Sequence, residues 1–140
     1  MSHFLTLVIV DRTEPNPSKK AKELMLLYFE ADEDNPSLQA KCDGFAIGGQ
    51  YDGIIWGKEQ HYNLNPEEFQ RRYGLDIVQS EDNIRPISAL MSDLVSYAIV
   101  TPDGKWHDRE GKSNEEWLEK FRSLLRQYQD NVVVAIDCHC

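Results

Sequence analysis

The residues with the most chemistry in this chain stand in two short segments that lie far apart in the sequence. The first runs from Cys42 to Gly53 (CDGFAIGGQYDG) and places four glycines among aromatic and acidic residues. That composition is poor for a plain strand and typical of a shaped loop. The second, Ile136 to Cys140 (IDCHC), puts ionisable and thiol side chains at the end of an apolar run. We expect a functional site to be built where these segments lie.

Asp137 and His139 are two residues apart in a predicted strand, so their side chains emerge on the same side. A carboxylate beside an imidazole orients the ring and stabilises its charged form, as in many catalytic and metal-bound histidines. His107, directly after Trp106, is the histidine that would complete such a site. If the protein is an enzyme, His107, Asp137 and His139 are the predicted catalytic residues. The alternative is a strand end whose polar side chains are simply solvated.

The cysteines do not predict a metal site, a disulfide or a cofactor. In a strand, Cys138 and Cys140 share one side while His139 points away, and the C-x₂₋₄-C spacing of structural zinc sites is absent. Three cysteines, an odd number, also argue against a disulfide framework and favour a reducing compartment. We therefore predict no metal and no cofactor, with Cys138 as a small core residue and Cys140 as a free thiol.

The Gly48-Gly49 pair is not a phosphate loop, because neither a Gly-Lys-Ser/Thr sequence nor a G-x-G-x-x-G pattern accompanies it. Two glycines allow close backbone approach to a ligand, or form a bulge with neighbouring aromatic residues as packing. The ligand-binding candidates from all segments are Gly48, Gly49, Tyr51, Trp106, His107, Asp137 and His139.

Charge and hydropathy narrow the functional class. The 140 residues carry a net charge of −9, which disfavours direct binding to nucleic acid or to anionic membranes. A basic surface on another protein remains a suitable partner. We see no signal peptide and no apolar stretch near the roughly 20 residues that a membrane helix needs. These features predict a soluble, cytoplasmic protein, and leave its oligomeric state open.

The hydrophobic pattern predicts the element order β-α-β-(insert)-β-α-β in a single domain, 1–140, with residues 50–95 as the insert. Strands are expected at 4–10, 44–56 (one strand, or two broken at Gly48-Gly49), 95–101, 105–107 and 132–138. Helices are expected from Ser18, from Asn65 and after the Ser113–Glu116 capping box, although the run 24–29 would also suit a strand. This order predicts an α+β, ferredoxin-like sandwich, a mainly antiparallel sheet with two helices on one face. The open face would carry Asp137 and His139.

Three blocks of the chain resemble a family of uncharacterised proteins common in bacteriophage and prophage genomes. The blocks are Phe45–Tyr51 (FAIGGQY), Tyr97–His107 (YAIVTPDGKWH) and Val134–His139 (VAIDCH). They resemble the family's aromatic-x-IGGRW, YAxVxPDGxWH and VDCH patterns, with glutamine and tyrosine in place of the family's arginine and tryptophan in the first block. The resemblance implies a phage setting and favours the residues His107, Asp137 and His139. It implies no established activity.

Two functions follow as expectations. The first is a phage-type protein that acts by binding rather than by turnover, an acidic inhibitor of a host defence component in the manner of anti-CRISPR and other counter-defence proteins. Its acidic loops would occupy a basic nucleic-acid-binding surface of that protein partner. The candidate contacts are Asp32, Glu33, Asp34, Glu81 and Asp82, whose alternative role is solubility. The second is a nucleotide-like small molecule, bound or hydrolysed between the Gly48-Gly49 loop and the Asp137/His139 strand end.

Overall fold

Two long strands from opposite ends of the chain pair side by side and organise the rest of the structure. The computed structural model describes residues 3–29, 40–51, 53–57 and 83–139, together with Glu67 and Arg71. The strands are β1 (His3–Val10), β2 (Gly44–Ile47), β3 (Ile84–Pro86), β4 (Ala98–Val100), β5 (Trp106–Asp108) and β6 (Val132–His139). Helix α1 spans Pro17–Met25 and helix α2 spans Asn114–Gln127, and short 3₁₀ turns cover Leu26–Tyr28, Gly49–Tyr51, Ile54–Trp56 and Ile87–Ala89.

The strands form one mixed sheet in the order β2-β6-β1-β4-β5. β1 and β4 are parallel, and the other pairs are antiparallel. β2 and β3 both pair with β6, which has β1 as its other neighbour. The prediction that the first, 97–101 and last strands share a sheet is confirmed, and so is the interior position of the last strand beside the first. The α+β class is likewise confirmed.

The register of β1 and β6 brings the two ends of the chain together. All eight residues of β1 pair with all eight of β6, from His3 opposite His139 to Val10 opposite Val132. The beginning of β1 therefore lies beside the end of β6. This places the polar end of the last strand next to the first residues of the chain.

Helices α1 and α2 lie against opposite faces of the sheet. Leu5, Leu7 and Ile9 pack in one cluster with Trp117 and Phe121 of α2. The alternate positions of β1 pack in a second cluster with Ala21, Leu24 and Met25 of α1. The ferredoxin-like arrangement with both helices on one face is therefore not what the structure shows. The reason is that β1 and β6 are apolar at consecutive positions, so both of their faces must be covered.

Both helices begin at capping residues in the local sequence, but the cap of α1 differs from the predicted residue. The side chain of Asn16 accepts a hydrogen bond from the Lys19 amide, and Pro17 opens α1, so the cap lies two residues before the predicted Ser18. Proline suits the first helical position because it lacks the N–H that would have no partner there. At α2 the predicted capping box is confirmed, with Ser113 and Glu116 bonding each other's backbone N–H groups.

The middle of the chain differs from the predicted insert. The chain turns at Gly48 and Gly49, with φ angles of 75° and 53°, and short 3₁₀ turns replace a second strand. Later in the same region, β3 adds to the edge of β6. The helix predicted from Asn65 lies, apart from Glu67 and Arg71, outside the described residues. Among the described residues, no helix has the length and apolar character needed to cross a bilayer.

Candidate functional site

Asp137 lies beneath the turn that follows β2, so the two chemically rich segments meet. Its side chain faces the α2 side of the sheet, and the residue is only 6% exposed. The backbone N–H of Gln50 donates to Asp137 Oδ2 at 2.9 Å, and the Gly48 N–H donates to the Ala135 carbonyl at 2.9 Å. A Cβ atom on Gly49 would lie 2.4 Å from Asp137 Oδ2. The glycine pair therefore serves close backbone approach to a buried carboxylate.

Each of the two histidines at this end of the sheet is held by a carboxylate. His3 Nδ1 lies 2.8 Å from Asp137 Oδ1, and His139 Nδ1 lies 2.8 Å from Asp43 Oδ1. Because an ionised carboxylate only accepts hydrogen bonds, Nδ1 of each ring is the donor. In a neutral ring this leaves Nε2 as the basic nitrogen. We call the four residues His3, Asp137, His139 and Asp43 the twin His–Asp pairs.

The twin His–Asp pairs are in contact with each other. The ring centroids of His3 and His139 are 4.8 Å apart, with an edge-to-face angle of 64° between the ring planes. The two side chains are 34% and 28% exposed. In the part of the chain that the structure describes, neither Nε2 atom has a hydrogen-bond partner. The arrangement thus offers two adjacent, partly exposed imidazoles, suited to proton transfer or to metal coordination at Nε2.

A cleft of about 440 Å³ adjoins His3. Phe4 contacts Tyr97 and Trp106 through ring centroids 5.0 and 6.2 Å apart, and the Trp106 indole N–H donates to Asp108 Oδ2 at 2.7 Å. The full lining is His3, Phe4, Lys41, Tyr97, Trp106, Asp108 and Glu110. Trp106, a predicted ligand-binding residue, is therefore close to the histidine end of the sheet.

His107 is not brought to this site. It pairs with Ile99 on β5, the edge strand farthest from β2, and the register aligns it with Ala135 rather than with His139. Strand spacing and rise per residue place it about 14 Å from His139 across the sheet and about 14 Å along it. Burial, followed by the charge of Lys120, lowers the pKa of His107.

Two further residues singled out in the sequence, Tyr51 and Cys138, take part in packing. Tyr51 packs against the core cluster beneath α2, which agrees with its alternative role in packing. Cys138 is fully buried on the α1 side, as predicted for a core residue, and its Sγ lies 3.3 Å from Thr6 Oγ1. A hydrogen bond with Cys42 and burial raise the pKa of the Cys138 thiol. Cys138 and His139 thus face opposite sides of the sheet, and Cys140 lies outside the described residues.

Sequence reasoning missed His3 and Asp43. Both were available as polar residues beside predicted strands, but only the register of β1 on β6 and of β2 on β6 places them at His139. A full-length antiparallel pairing of the first and last strands would have put His3 opposite His139. The acidic partner-binding candidates Asp32, Glu33, Asp34, Glu81 and Asp82 lie outside the described residues.

Comparison with known proteins identifies no relative of the chain. No model of a protein family, no curated protein and no solved structure matches the chain.

Proposed function

We propose that the protein binds a nucleotide-like small molecule at the paired ends of β1 and β6 and hydrolyses a phosphate ester or anhydride bond in it. The observation that carries the proposal is the contact between the twin His–Asp pairs, with rings 4.8 Å apart. Each ring is oriented by its own carboxylate, an arrangement that simple solvation of a strand end does not require.

Two adjacent imidazoles can divide the proton transfers of hydrolysis between them. One neutral ring accepts a proton at Nε2 from the water molecule that attacks phosphorus. The other ring, protonated, donates a proton to the oxygen that leaves. Such general acid–base catalysis contributes typically about 10²–10⁴-fold to the rate. Because one ring must be neutral and the other charged, activity should show a bell-shaped dependence on pH.

The cleft beside His3 supports a ligand with an aromatic base and a phosphate. Its volume of about 440 Å³ lies within the range of about 300–1,000 Å³ of small-molecule sites. Tyr97 and Trp106 provide aromatic surface against which a base can stack, and Lys41 provides an ammonium group. These groups adjoin His3. Because Phe4 and Trp106 pack on the α1 side of the sheet and Asp137 faces the α2 side, a phosphate would reach the twin His–Asp pairs past His3, at the end of β1.

The test is a panel of nucleoside monophosphates, diphosphates, triphosphates and cyclic nucleotides, assayed for thermal stabilisation and for products by chromatography. We expect His3→Gln and His139→Gln to lower turnover at least about 100-fold, in line with the loss of a general acid or base. His107→Gln is the matched control, because His107 lies at the other edge of the sheet, and it should change turnover less than about twofold. Absence of both stabilisation and turnover, or turnover that survives both substitutions, would refute the proposal.

A second candidate function is binding to a host defence component. Exposed apolar side chains next to an acidic stretch of the sequence support it. Leu26 and Leu27 are 59% and 49% exposed, and they stand just before an acidic stretch of the chain. Exposed apolar side chains next to an acidic stretch of sequence suit a basic protein surface. Purification from host cells of His139→Gln and of a variant with neutralised acidic residues separates the two candidate functions. A binder should tolerate His139→Gln and lose its partner on joint neutralisation of Asp32, Glu33 and Asp34.

A further inference from the structure

We infer that His3 and His139 form a binding site for one transition-metal dication such as Zn²⁺. The two residues come from opposite ends of the chain and stand directly opposite each other on antiparallel strands. Directly opposed residues on such strands have Cβ atoms about 4.5–5.5 Å apart, close enough for two imidazoles to reach one ion. No spacing in the sequence indicates this pair.

The separation of the rings fits two ligands of one ion. Zinc binds an imidazole nitrogen at about 2.0–2.1 Å, so the ion lies about 3.2 Å from each ring centre. Two rings at a tetrahedral ligand angle then have centres about 5 Å apart. The observed separation is 4.8 Å, and the planes of the two rings are inclined at 64°. The distance between the two rings therefore matches that of two ligands of one ion.

The carboxylates complete the arrangement that metal-binding histidines commonly have. A histidine that coordinates through one nitrogen usually donates its other N–H to a carboxylate, a carbonyl or water. Here Asp137 and Asp43 accept from Nδ1 of His3 and His139, which directs each Nε2 to coordination. Asp137 is itself fixed by the backbone N–H of Gln50.

The site is open. Within the described ranges, no group of three or more His, Cys, Asp or Glu side chains is placed to hold a metal ion. The remaining coordination positions would be filled by water or by an added ligand, as in catalytic zinc sites. With two protein ligands we expect weaker binding than that of a four-ligand structural site.

Metal binding by His3 and His139 can be tested independently of the proposed hydrolysis. Metal binding and proton transfer use the same Nε2 atoms, so a bound ion should suppress proton transfer by these rings. Metal binding can be measured with no nucleotide present. Its failure would therefore leave the hydrolytic proposal standing, and failure of hydrolysis would leave the metal site standing.

The experiment is calorimetric titration of the full chain with Zn²⁺ in a Cys140→Ser background, which removes the terminal thiol. We expect one ion per chain, and at least tenfold weaker binding after either His3→Gln or His139→Gln. Loss of both histidines should weaken binding little more than loss of one, because a single imidazole is a poor site. His107→Gln is the matched control and should change the affinity less than about threefold. Circular dichroism confirms that each variant is folded.

Asp43→Asn provides a second measurement that leaves both ligands in place. Loss of a carboxylate behind a coordinating histidine typically weakens metal binding about 10–100-fold. We expect a loss in that range. Absence of Zn²⁺ binding, or binding that does not depend on His139, would overturn the inference. A chelate made by the amino-terminal residues alone would require His3 but not His139.

Discussion

At the scale of single residues, Gly49 has two independent reasons to be glycine. Its φ of +53° lies in the left-handed region, and a Cβ atom would overlap the Asp137 carboxylate. Gly111 has φ of +75° but no atom within 4 Å of the position of a Cβ. A comparison of substitutions at Gly49 and at Gly111 therefore separates the backbone cost from the steric cost.

We expect Gly49→Ala to reduce the free energy of unfolding more than Gly111→Ala does. Both substitutions carry the cost of a left-handed alanine, about 1–2 kcal/mol. Gly49→Ala should add about 1–3 kcal/mol, because the new methyl group displaces a buried carboxylate and its hydrogen bonds. Chemical denaturation of both variants measures the difference. Equal losses would show that the Gly49 turn does not press on Asp137.

Sequence reasoning singled out Asp137, His139 and the Gly48-Gly49 pair as candidates, but not the partners of the two imidazoles. Residue types and the strand alternation suffice to place Asp137 and His139 on one side of a strand. The partners depend on register, and no tight turn links β1 to β6 to fix it from local sequence. His3 is therefore an unremarkable surface residue until the pairing of the two strands is known.

At the scale of elements, the beginning of α2 was predicted correctly from the sequence, whereas the placement of α1 and α2 on opposite faces of the sheet was not. The capping box at Ser113 is a local pattern and is present as predicted. The choice of face depends on both sides of β1 and β6 being apolar, and residues Leu5 to Val10 are all buried. A sandwich with one open face would leave alternate residues of that run in water. The continuous apolar run was thus the signal for a sheet covered on both faces.

The beginning of α1 gives a direct comparison of two candidate caps. We expect Asn16→Ala to reduce the free energy of unfolding by about 1 kcal/mol, because its side chain accepts from the Lys19 amide. Ser18→Ala, two residues into the helix, should change it by less than about 0.5 kcal/mol. Thermal or chemical denaturation of the two variants measures both values. A larger loss of stability for Ser18→Ala would indicate that Ser18, the residue predicted from the sequence, caps the helix.

At the scale of the whole molecule, the sheet separates residues that the shared blocks of sequence had suggested as one site. β4 and β1 lie between β5 and β6, so His107 and His139 are on opposite sides of the sheet's centre. His3 and His139, at opposite ends of the chain, are in ring contact. Topology therefore decides which histidines interact.

Double-mutant cycles should reproduce this map of contacts. Residues farther apart than about 7–10 Å with no common partner usually have additive effects, so His107→Ala and His139→Ala should add within about 0.5 kcal/mol in the free energy of unfolding. His3→Ala and His139→Ala should depart from additivity by about 0.5 kcal/mol or more, because their rings touch and both lie in the twin His–Asp pairs.

His3→Ala alone should reduce the free energy of unfolding by about 1–3 kcal/mol, since it removes a hydrogen-bond donor from the buried Asp137 carboxylate. Urea denaturation of the three single and two double variants gives every term. Coupling between His107 and His139, together with additivity of His3 and His139, would contradict the arrangement of strands on which both proposals depend.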